Sequence, residues 1–121
     1  MIQTVAAFTD DLRRRGYPVA GRAGRMVFIA DVQRAVAERY GLAIADLKSS
    51  RRDYPIAHPR QVAMLLARNL TGRSLSEIGR RMGDRDHSTI ITGCRSVTKR
   101  RLEDSELDKV ICELTVQLSA R

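Results

Sequence analysis

The stretch that decides the fold is residues 74–97, SLSEIGRRMGDRDHSTIITGCRSV. It opens with Ser74, and a glutamate three residues later completes the capping-box pattern that begins a helix. Gly83 predicts the end of that helix, because glycine readily adopts the left-handed conformation of a C-terminal cap. Asp86, or alternatively Asp84, then predicts the cap of a second helix. The stretch therefore predicts a short helix and a second helix separated by a tight turn.

The apolar residues of this stretch recur at helical spacing, which supports both helices. They are Leu75, Ile78 and Met82 in the first helix, and Ile90, Cys94 and Val97 in the second. Two helices joined by a short glycine-led turn form the helix-turn-helix pattern. The first turn of the second helix carries polar side chains that suit base edges in a major groove, namely Asp86, His87, Ser88 and Thr89. We therefore predict sequence-specific binding to double-stranded DNA.

The composition agrees with a small helical protein that binds a polyanion. The chain has 121 residues, enough for one domain with a single core, and 22 Lys+Arg against 14 Asp+Glu give a net charge of +8. Nucleic acid is the commonest polyanionic partner of a compact basic domain. No apolar run approaches the roughly 20 residues of a membrane span, and the N-terminus lacks the pattern of a secretory leader. We expect a cytoplasmic, nucleoid-associated protein without a membrane partner.

Residues 1–25 are predicted to be an N-terminal arm, with a short helix over 5–15 and a linker over 16–25 that is rich in glycine. Such an arm can pack on the domain or trail from it, and the sequence leaves both alternatives open.

Residues 26–121 are predicted to be one domain. Further helices are expected from about residue 28 to 40, as a single turn near 44–47, over 60–70 with Pro59 in the first turn, and over 105–119 as a brace. No stretch alternates with period two, so we predict an all-α bundle without a sheet.

Three short motifs resemble a known family at its spacings: PRQ at 59–61, LSEIG at 75–79 and RDHST at 85–89. The chain from about residue 27 to 120 is similar to the C-terminal DNA-binding domain (domain IV) of the bacterial replication initiator DnaA. The resemblance implies a compact helical bundle containing a helix-turn-helix, like that of the Trp repressor. It also implies binding to short, non-palindromic DnaA boxes, with one monomer per box.

The resemblance also assigns site residues. A minor-groove arginine falls on Arg52, in the loop before the long helix, and an arginine on a loop can enter a narrow, electronegative groove. Phosphate and groove-edge contacts fall on Arg60, Gln61 and Arg68. The major-groove readers fall on Asp86, His87, Ser88 and Thr89, and Arg85 directly before them is also predicted to bind DNA. Backbone N–H groups at the start of that helix and at Ser74–Ser76 are predicted to bind phosphates.

Several positions depart from the pattern of the family. Ser88 replaces a commoner threonine, Ser76 stands where proline is frequent, and Ser96 stands where a basic residue is usual. Gly93 replaces alanine or serine and is expected to loosen its helix by about 1 kcal/mol. These changes are expected to alter affinity or base preference while the mode of binding stays the same.

The sequence offers no enzymatic site. Paired carboxylates, a nucleophile–base pair and metal-ligand spacing are missing, so no cofactor or metal is expected, and the two cysteines suit a core in a reducing compartment. No glycine is followed by lysine, so the phosphate-binding loop of an ATPase is missing too. We predict a stand-alone relative that binds DnaA boxes and modulates replication initiation or nearby transcription. The alternative is an adaptor whose N-terminal arm binds the initiator or its regulators, with DNA binding secondary.

Overall fold

The structure is a computed structural model that describes residues 5–16 and 26–119. Within these ranges the chain forms seven α-helices and no strand, which confirms the prediction of an all-α bundle. The helices are α1 Val5–Arg14, α2 Ile29–Tyr40, α3 Ile44–Lys48, α4 Tyr54–Thr71, α5 Leu75–Arg81, α6 His87–Glu103 and α7 Ser105–Ser119. In the described part of the chain, no helix combines the length and apolar character that crossing a membrane would require.

The long helix α4 is the centre of the bundle and packs against each of the other six helices to some extent, most closely against α2 and α6. Fully buried residues run along it, including Val62, Leu66 and the alanines 63 and 67. A helix that is apolar on most of its surface needs neighbours on several sides, which the surrounding helices supply. The fully buried residues of the main core on or next to these neighbours are Val32, Val36, Leu47, Ile78, Met82, Ile90, Val97 and Ile111.

The predicted start of α4 was wrong by six residues. The helix begins at Tyr54, not at Arg60, and Pro59 lies inside it. Asp53 supplies the extended N-cap residue, and Pro55 occupies the second helical position, where a missing N–H costs nothing. Pro59 has no N–H to donate to the carbonyl of Pro55, so the helix continues without that one bond.

The helix-turn-helix forms as the caps predict. The Ser74 hydroxyl accepts a hydrogen bond from the Glu77 N–H at 3.1 Å, and the Asp86 carboxylate accepts one from the Ser88 N–H at 3.3 Å. Asp86 is therefore the cap of α6, which decides between the two aspartates that the sequence allowed. In the turn, Gly83 has a φ of +86° and Asp84 a φ of +56°.

Gly79 permits the close approach of the two helices. The Arg85 N–H donates to the Gly79 carbonyl at 2.8 Å, and a Cβ on Gly79 would lie 2.1 Å from the Arg85 carbonyl oxygen. Any side chain at this position would collide with backbone, which cannot move aside as a flexible side chain can. The glycine of the LSEIG motif is thus required by the packing of α5 against the turn.

The last helix braces the bundle along the predicted stripe. Its inner residues Leu107, Ile111, Leu114 and Leu118 are all buried, and its bounds agree with the prediction. The described part of the N-terminal arm also packs on α7: Leu12 of α1 is fully buried in a small cluster with Cys112 and Val116. The predicted linker lies outside the described residues, apart from Gly16.

Candidate nucleic-acid interface

A groove of about 730 Å³ lies between the loop that follows α3, helix α4 and the first turns of α6, and we call it the α4–α6 groove. Six of the predicted site residues line it together: Arg52, Arg60, Gln61, Arg85, Ser88 and Thr89. Both of its rims bear polar or basic side chains that face a concave surface. The groove thus places the loop arginine and the start of α6 on one face of the molecule.

The two loop arginines differ in their contacts. Arg51 donates from Nε and Nη2 to the two carboxylate oxygens of Asp53, at 3.0 and 2.8 Å. This bidentate pair lowers the pKa of Asp53 below its usual value. Arg52 is exposed and makes no hydrogen bond or ion pair to the residues that the structure describes. Arg52 is therefore the loop arginine whose guanidinium group is available to a ligand.

Arg60, which was predicted to contact DNA, is buried and donates to protein backbone. Its side chain is only 4% exposed. Its Nε donates to the Leu47 carbonyl at 2.8 Å, and its Nη1 donates to the Arg51 carbonyl at 2.7 Å. Its Nη2 donates to the Ser49 carbonyl at 2.9 Å. These donors thus bind the backbone of α3 and of the loop that follows it, and a DNA contact by Arg60 stays a prediction.

Arg85 is also turned toward the protein. It is half-buried, and its Nη2 donates to the Ser49 carbonyl at 2.6 Å while its Nη1 donates to the Met82 carbonyl. Burial lowers the pKa of the Arg85 guanidinium from its usual value, as it does for Arg60. Arginine stays protonated despite such a decrease, so both groups retain their charge.

The first turn of α6 is open to solvent. Asp86, His87, Ser88 and Thr89 are all exposed. The Ser88 hydroxyl donates to the Asp86 carboxylate and is the main cause of the lowered pKa of Asp86. A carboxylate can accept about four hydrogen bonds, so Asp86 caps the helix and still has acceptor capacity for a cytosine amino group.

Gln61 is oriented by a residue that the sequence did not identify. Arg100, near the C-terminus of α6, donates from Nη2 to the Gln61 Oε1 and from Nη1 to the His58 Nδ1 at 2.6 Å. Because the side-chain oxygen is occupied, the amide NH₂ of Gln61 remains to donate toward the groove. Arg100 is one of two adjacent arginines in residues 99–103, KRRLE, and nothing in the sequence marks it for this role.

Five predicted residues lie outside the lining of the groove: Asp86 and His87 in the exposed first turn of α6, and Arg68, Ser74 and Ser76. Arg68 is half-buried at the α4–α6 contact, where its Nε has no hydrogen-bond partner among the described residues. It lies beside the Cys94 thiol, whose pKa is raised by burial even though Arg68 acts in the opposite direction. Ser74 and Ser76 are exposed at the start of α5. Their phosphate contacts stay predictions.

The groove contains further residues that the sequence analysis missed, among them Lys48, Ser50 and Thr92. Thr92 follows Ser88 by four residues and Thr89 by three, so helical spacing alone places it on the same face. Lys48 ends α3, and only the fold brings it beside α6. Pattern analysis of the sequence could thus have found Thr92, but it could not have found Lys48.

Gly93 has a packing role that its helix propensity does not suggest. It is buried where α6 crosses α4, and a Cβ at this position would lie 2.6 Å from the Met64 Sδ. The glycine therefore lets the sulfur of Met64 occupy the space that a family alanine or serine would fill. This contact with the Met64 sulfur offsets part of the expected loosening of the helix.

A family model described as the bacterial dnaA protein helix-turn-helix matches residues 29–97, which is more than half of the chain. Over 82 residues the chain is 50% identical to the chromosomal replication initiator protein DnaA of Zymomonas mobilis, covering 68% of this chain and 17% of that protein. The corresponding protein of Caulobacter vibrioides is 48% identical over 94 residues, covering 78% of this chain and 19% of that protein.

A crystal structure of a DNA replication initiation factor superimposes with a TM-score of 0.69 at 27% identity. That match covers 76% of this chain and 28% of the other chain. The chain thus spans less than a fifth of the length of the two initiator proteins named above. By its family match, its identity to these relatives and its fold, the chain belongs to the bacterial DnaA helix-turn-helix family of DNA-binding domains.

Proposed function

We propose that this protein binds double-stranded DNA sequence-specifically at DnaA-box-like sites, as one monomer per site. The observation that carries the proposal is the position of Arg52 on the same groove as the exposed first turn of α6; Arg52 is exposed and has no hydrogen-bond or ion-pair partner among the described residues. A loop arginine beside a recognition helix can reach a minor groove while the helix lies in the neighbouring major groove.

The first turn of α6 supplies the chemistry for base recognition. The Asp86 carboxylate can accept from a cytosine amino group, the His87 ring can donate or accept at a base edge, and the Thr89 methyl can meet a thymine methyl. Ser88 offers its hydroxyl oxygen, since its proton is used on Asp86. A monomer presents one such helix and has no two-fold axis, so it suits an asymmetric site rather than a palindrome.

We further propose that the protein acts by occupying boxes and so modulates replication initiation or transcription near those boxes. The relatives are chromosomal replication initiator proteins, and this chain matches only a small part of their length. Its 121 residues contain no glycine followed by lysine, so box occupancy is proposed to act without ATP hydrolysis by this chain.

The test is a gel shift with two duplexes of equal length and composition, one containing a DnaA box and one with the box scrambled. We expect tighter binding to the box, with both affinities decreasing as salt increases, because phosphate contacts release counterions. Equal affinity for the two duplexes at every salt concentration would contradict sequence-specific binding.

The adaptor function, in which the N-terminal arm binds the initiator or its regulators, has less support. Leu12, which the structure describes in that arm, is already buried against α7 and is not available to another protein. Binding of the initiator with residues 1–25 present, and its loss when they are removed, would be needed to favour this alternative.

A further inference from the structure

The charged side chains Arg60 and Arg85 line the α4–α6 groove, yet they donate their hydrogen bonds to protein backbone. We propose that this arginine pair positions the loop of residues 49–53 and thereby holds Arg52 in register with the recognition helix. The proposal rests on the proposed function, because it assigns the pair a role in the same DNA site. It makes both arginines positioning residues rather than DNA contacts.

Arg60, the first arginine of the pair, stabilises the end of α3. The last carbonyl groups of a helix have no partner within the helix, and a cation near them is favourable. Arg60 lies at this end and donates to the carbonyl groups of residues 46, 47, 49 and 51, at distances from 2.7 to 3.2 Å. One guanidinium group on α4 thus fixes both the end of α3 and the loop that follows.

Arg85, the second arginine of the pair, joins that loop to the helix-turn-helix. Arg85 precedes the cap of α6 by one residue, and it donates to the same Ser49 carbonyl that Arg60 uses. The turn itself also touches this segment, since a Cβ on Gly83 would lie 2.2 Å from the Lys48 carbonyl oxygen. The loop is therefore attached to α4 on one side and to the start of α6 on the other.

This attachment determines where Arg52 can reach. The side chain of Arg52 makes no contact with the described residues that would fix it, so its range is set by the backbone of the loop. If the loop moved away from α6, the minor-groove contact and the major-groove contacts would no longer match one DNA helix. The planar fork of arginine allows bonds to several carbonyl groups at once, which a lysine cannot reproduce at equal charge.

The first experiment uses the free protein. Arg60→Lys and Arg85→Lys keep the charge but remove the fork, and Arg39→Lys is the matched control, because Arg39 pairs with Glu113 and does not line the groove. Trypsin cleavage between Arg51 and Arg52 is followed by mass spectrometry, with helix content monitored by circular dichroism. We expect cleavage at least about 5-fold faster in both pair variants, the factor that weakening a hydrogen bond by about 1 kcal/mol gives. The control variant should match the wild type.

The second experiment measures affinity for every single-base-pair variant of the box. The positions at which Arg52→Ala abolishes a preference define the base pairs that depend on Arg52, where we expect losses of roughly 5- to 150-fold. Arg60→Lys and Arg85→Lys should lose base preference at those same positions. They should keep it at the positions where base preference depends on His87. Adding Arg52→Ala to either pair variant should change the affinity little further, because both act on one contact.

Three results would overturn the proposal. In the free protein, it fails if cleavage in both pair variants is as slow as in the wild type. On DNA, it fails if the pair variants weaken all duplexes equally, or if their effects multiply with that of Arg52→Ala. If the wild type shows no preference for the box, the proposed function fails instead, and the cleavage experiment still decides whether the pair holds the loop. If either Arg60→Lys or Arg85→Lys does not fold, the other variant still tests the attachment of the loop, because both arginines donate to the Ser49 carbonyl.

Discussion

At the scale of single residues, neighbouring side chains of one type have different tasks. Arg51 and Arg52 are adjacent and both exposed, but only Arg51 pairs with Asp53. An exposed ion pair contributes little to stability, because water screens the two charges. Its main consequence here is that the negative charge of Asp53 is directed at Arg51 and leaves Arg52 available.

The two arginines are therefore predicted to differ in DNA binding. Arg52→Ala should cost about 1–3 kcal/mol of binding free energy on the box and much less on the scrambled duplex. Arg51→Ala, the matched control, removes the same charge and should cost less than Arg52→Ala, even though it also frees the Asp53 carboxylate beside Arg52. Fluorescence anisotropy with both duplexes measures this difference. A larger loss from Arg51→Ala would assign the minor-groove contact to the wrong arginine.

His58 illustrates how burial changes a titratable residue. Its ring stacks on Tyr54 with centroids 5.0 Å apart and meets the edge of Tyr40 at 5.9 Å, while Nδ1 accepts from Arg100. Burial, and next the charge of Arg100, lower the pKa of His58 below that of a free histidine, with Asp104 opposing this weakly. The neutral ring is thus the form that fits the folded protein.

This shift predicts that acid destabilises the fold through His58. The unfolded chain binds a proton near pH 6.5, about the ordinary histidine pKa, whereas the folded chain binds it at lower pH. Stability is therefore fully present above that pH and decreases as the pH falls below it. Urea unfolding at pH 7.5 and 5.5 should show a larger loss for the wild type than for His58→Asn, which keeps an acceptor for Arg100. Equal losses in both proteins would contradict the assignment.

At the scale of helices, the caps made much of the fold predictable from the sequence. Ser74 and Asp86 cap α5 and α6 as expected, because a serine or aspartate directly before an apolar helical stripe is typical of an N-cap. The start of α4 was not predictable, because Pro55 and Pro59 both suit a first turn and the sequence did not show which one begins the helix. Proline restricts a helix start to a few positions but does not select among them.

The candidate site was predictable in its residues but not in their orientation. Arg52, Arg60 and Arg85 are the same residue type in neighbouring motifs, and the resemblance assigned all three to DNA. Whether a guanidinium group donates to a phosphate or to a carbonyl depends on backbone that only the fold brings near. The sequence thus named residues that the structure brings together on the α4–α6 groove, and the structure separates the exposed Arg52 from two arginines that donate to backbone carbonyl groups.

The contact between α4 and α6 supports a prediction about Gly93 and Met64. Gly93→Ala gains about 1 kcal/mol of helix propensity but forces a Cβ to 2.6 Å from the Met64 Sδ, and overpacking costs about 1–3 kcal/mol. We expect net destabilisation in the wild type. In a Met64→Ala background the same change should become stabilising, giving a coupling of about 0.5–3 kcal/mol in a double-mutant cycle. Additive effects in urea unfolding would show that the sulfur moves aside without cost.

At the scale of the whole molecule, the described side chains of α1 meet α7 in a small cluster separate from the main core, and α1 also contacts α4. Asp108 of α7 accepts hydrogen bonds from Arg15 of the arm and from Arg101 of α6. Burial alone would raise the pKa of Asp108, but these bonds and charges outweigh it and lower the pKa. Beside this ion pair, Leu12 covers Cys112 in a cluster distinct from the main core. The arm should therefore detach more easily than the bundle unfolds.

Leu12→Ala is predicted to release α1 and expose one cysteine selectively. Truncating a buried leucine costs about 2–5 kcal/mol, which here acts on the docking of one helix. Cys112, fully buried beneath Leu12, should then react faster with a thiol reagent. Cys94, 1% exposed in the main core and with its pKa raised by burial, should react as slowly as in the wild type. Mass spectrometry of labelled peptides measures both rates, with the exposed Arg14→Ala as control. Equal acceleration of both cysteines would instead mean that α1 and the bundle unfold as one unit.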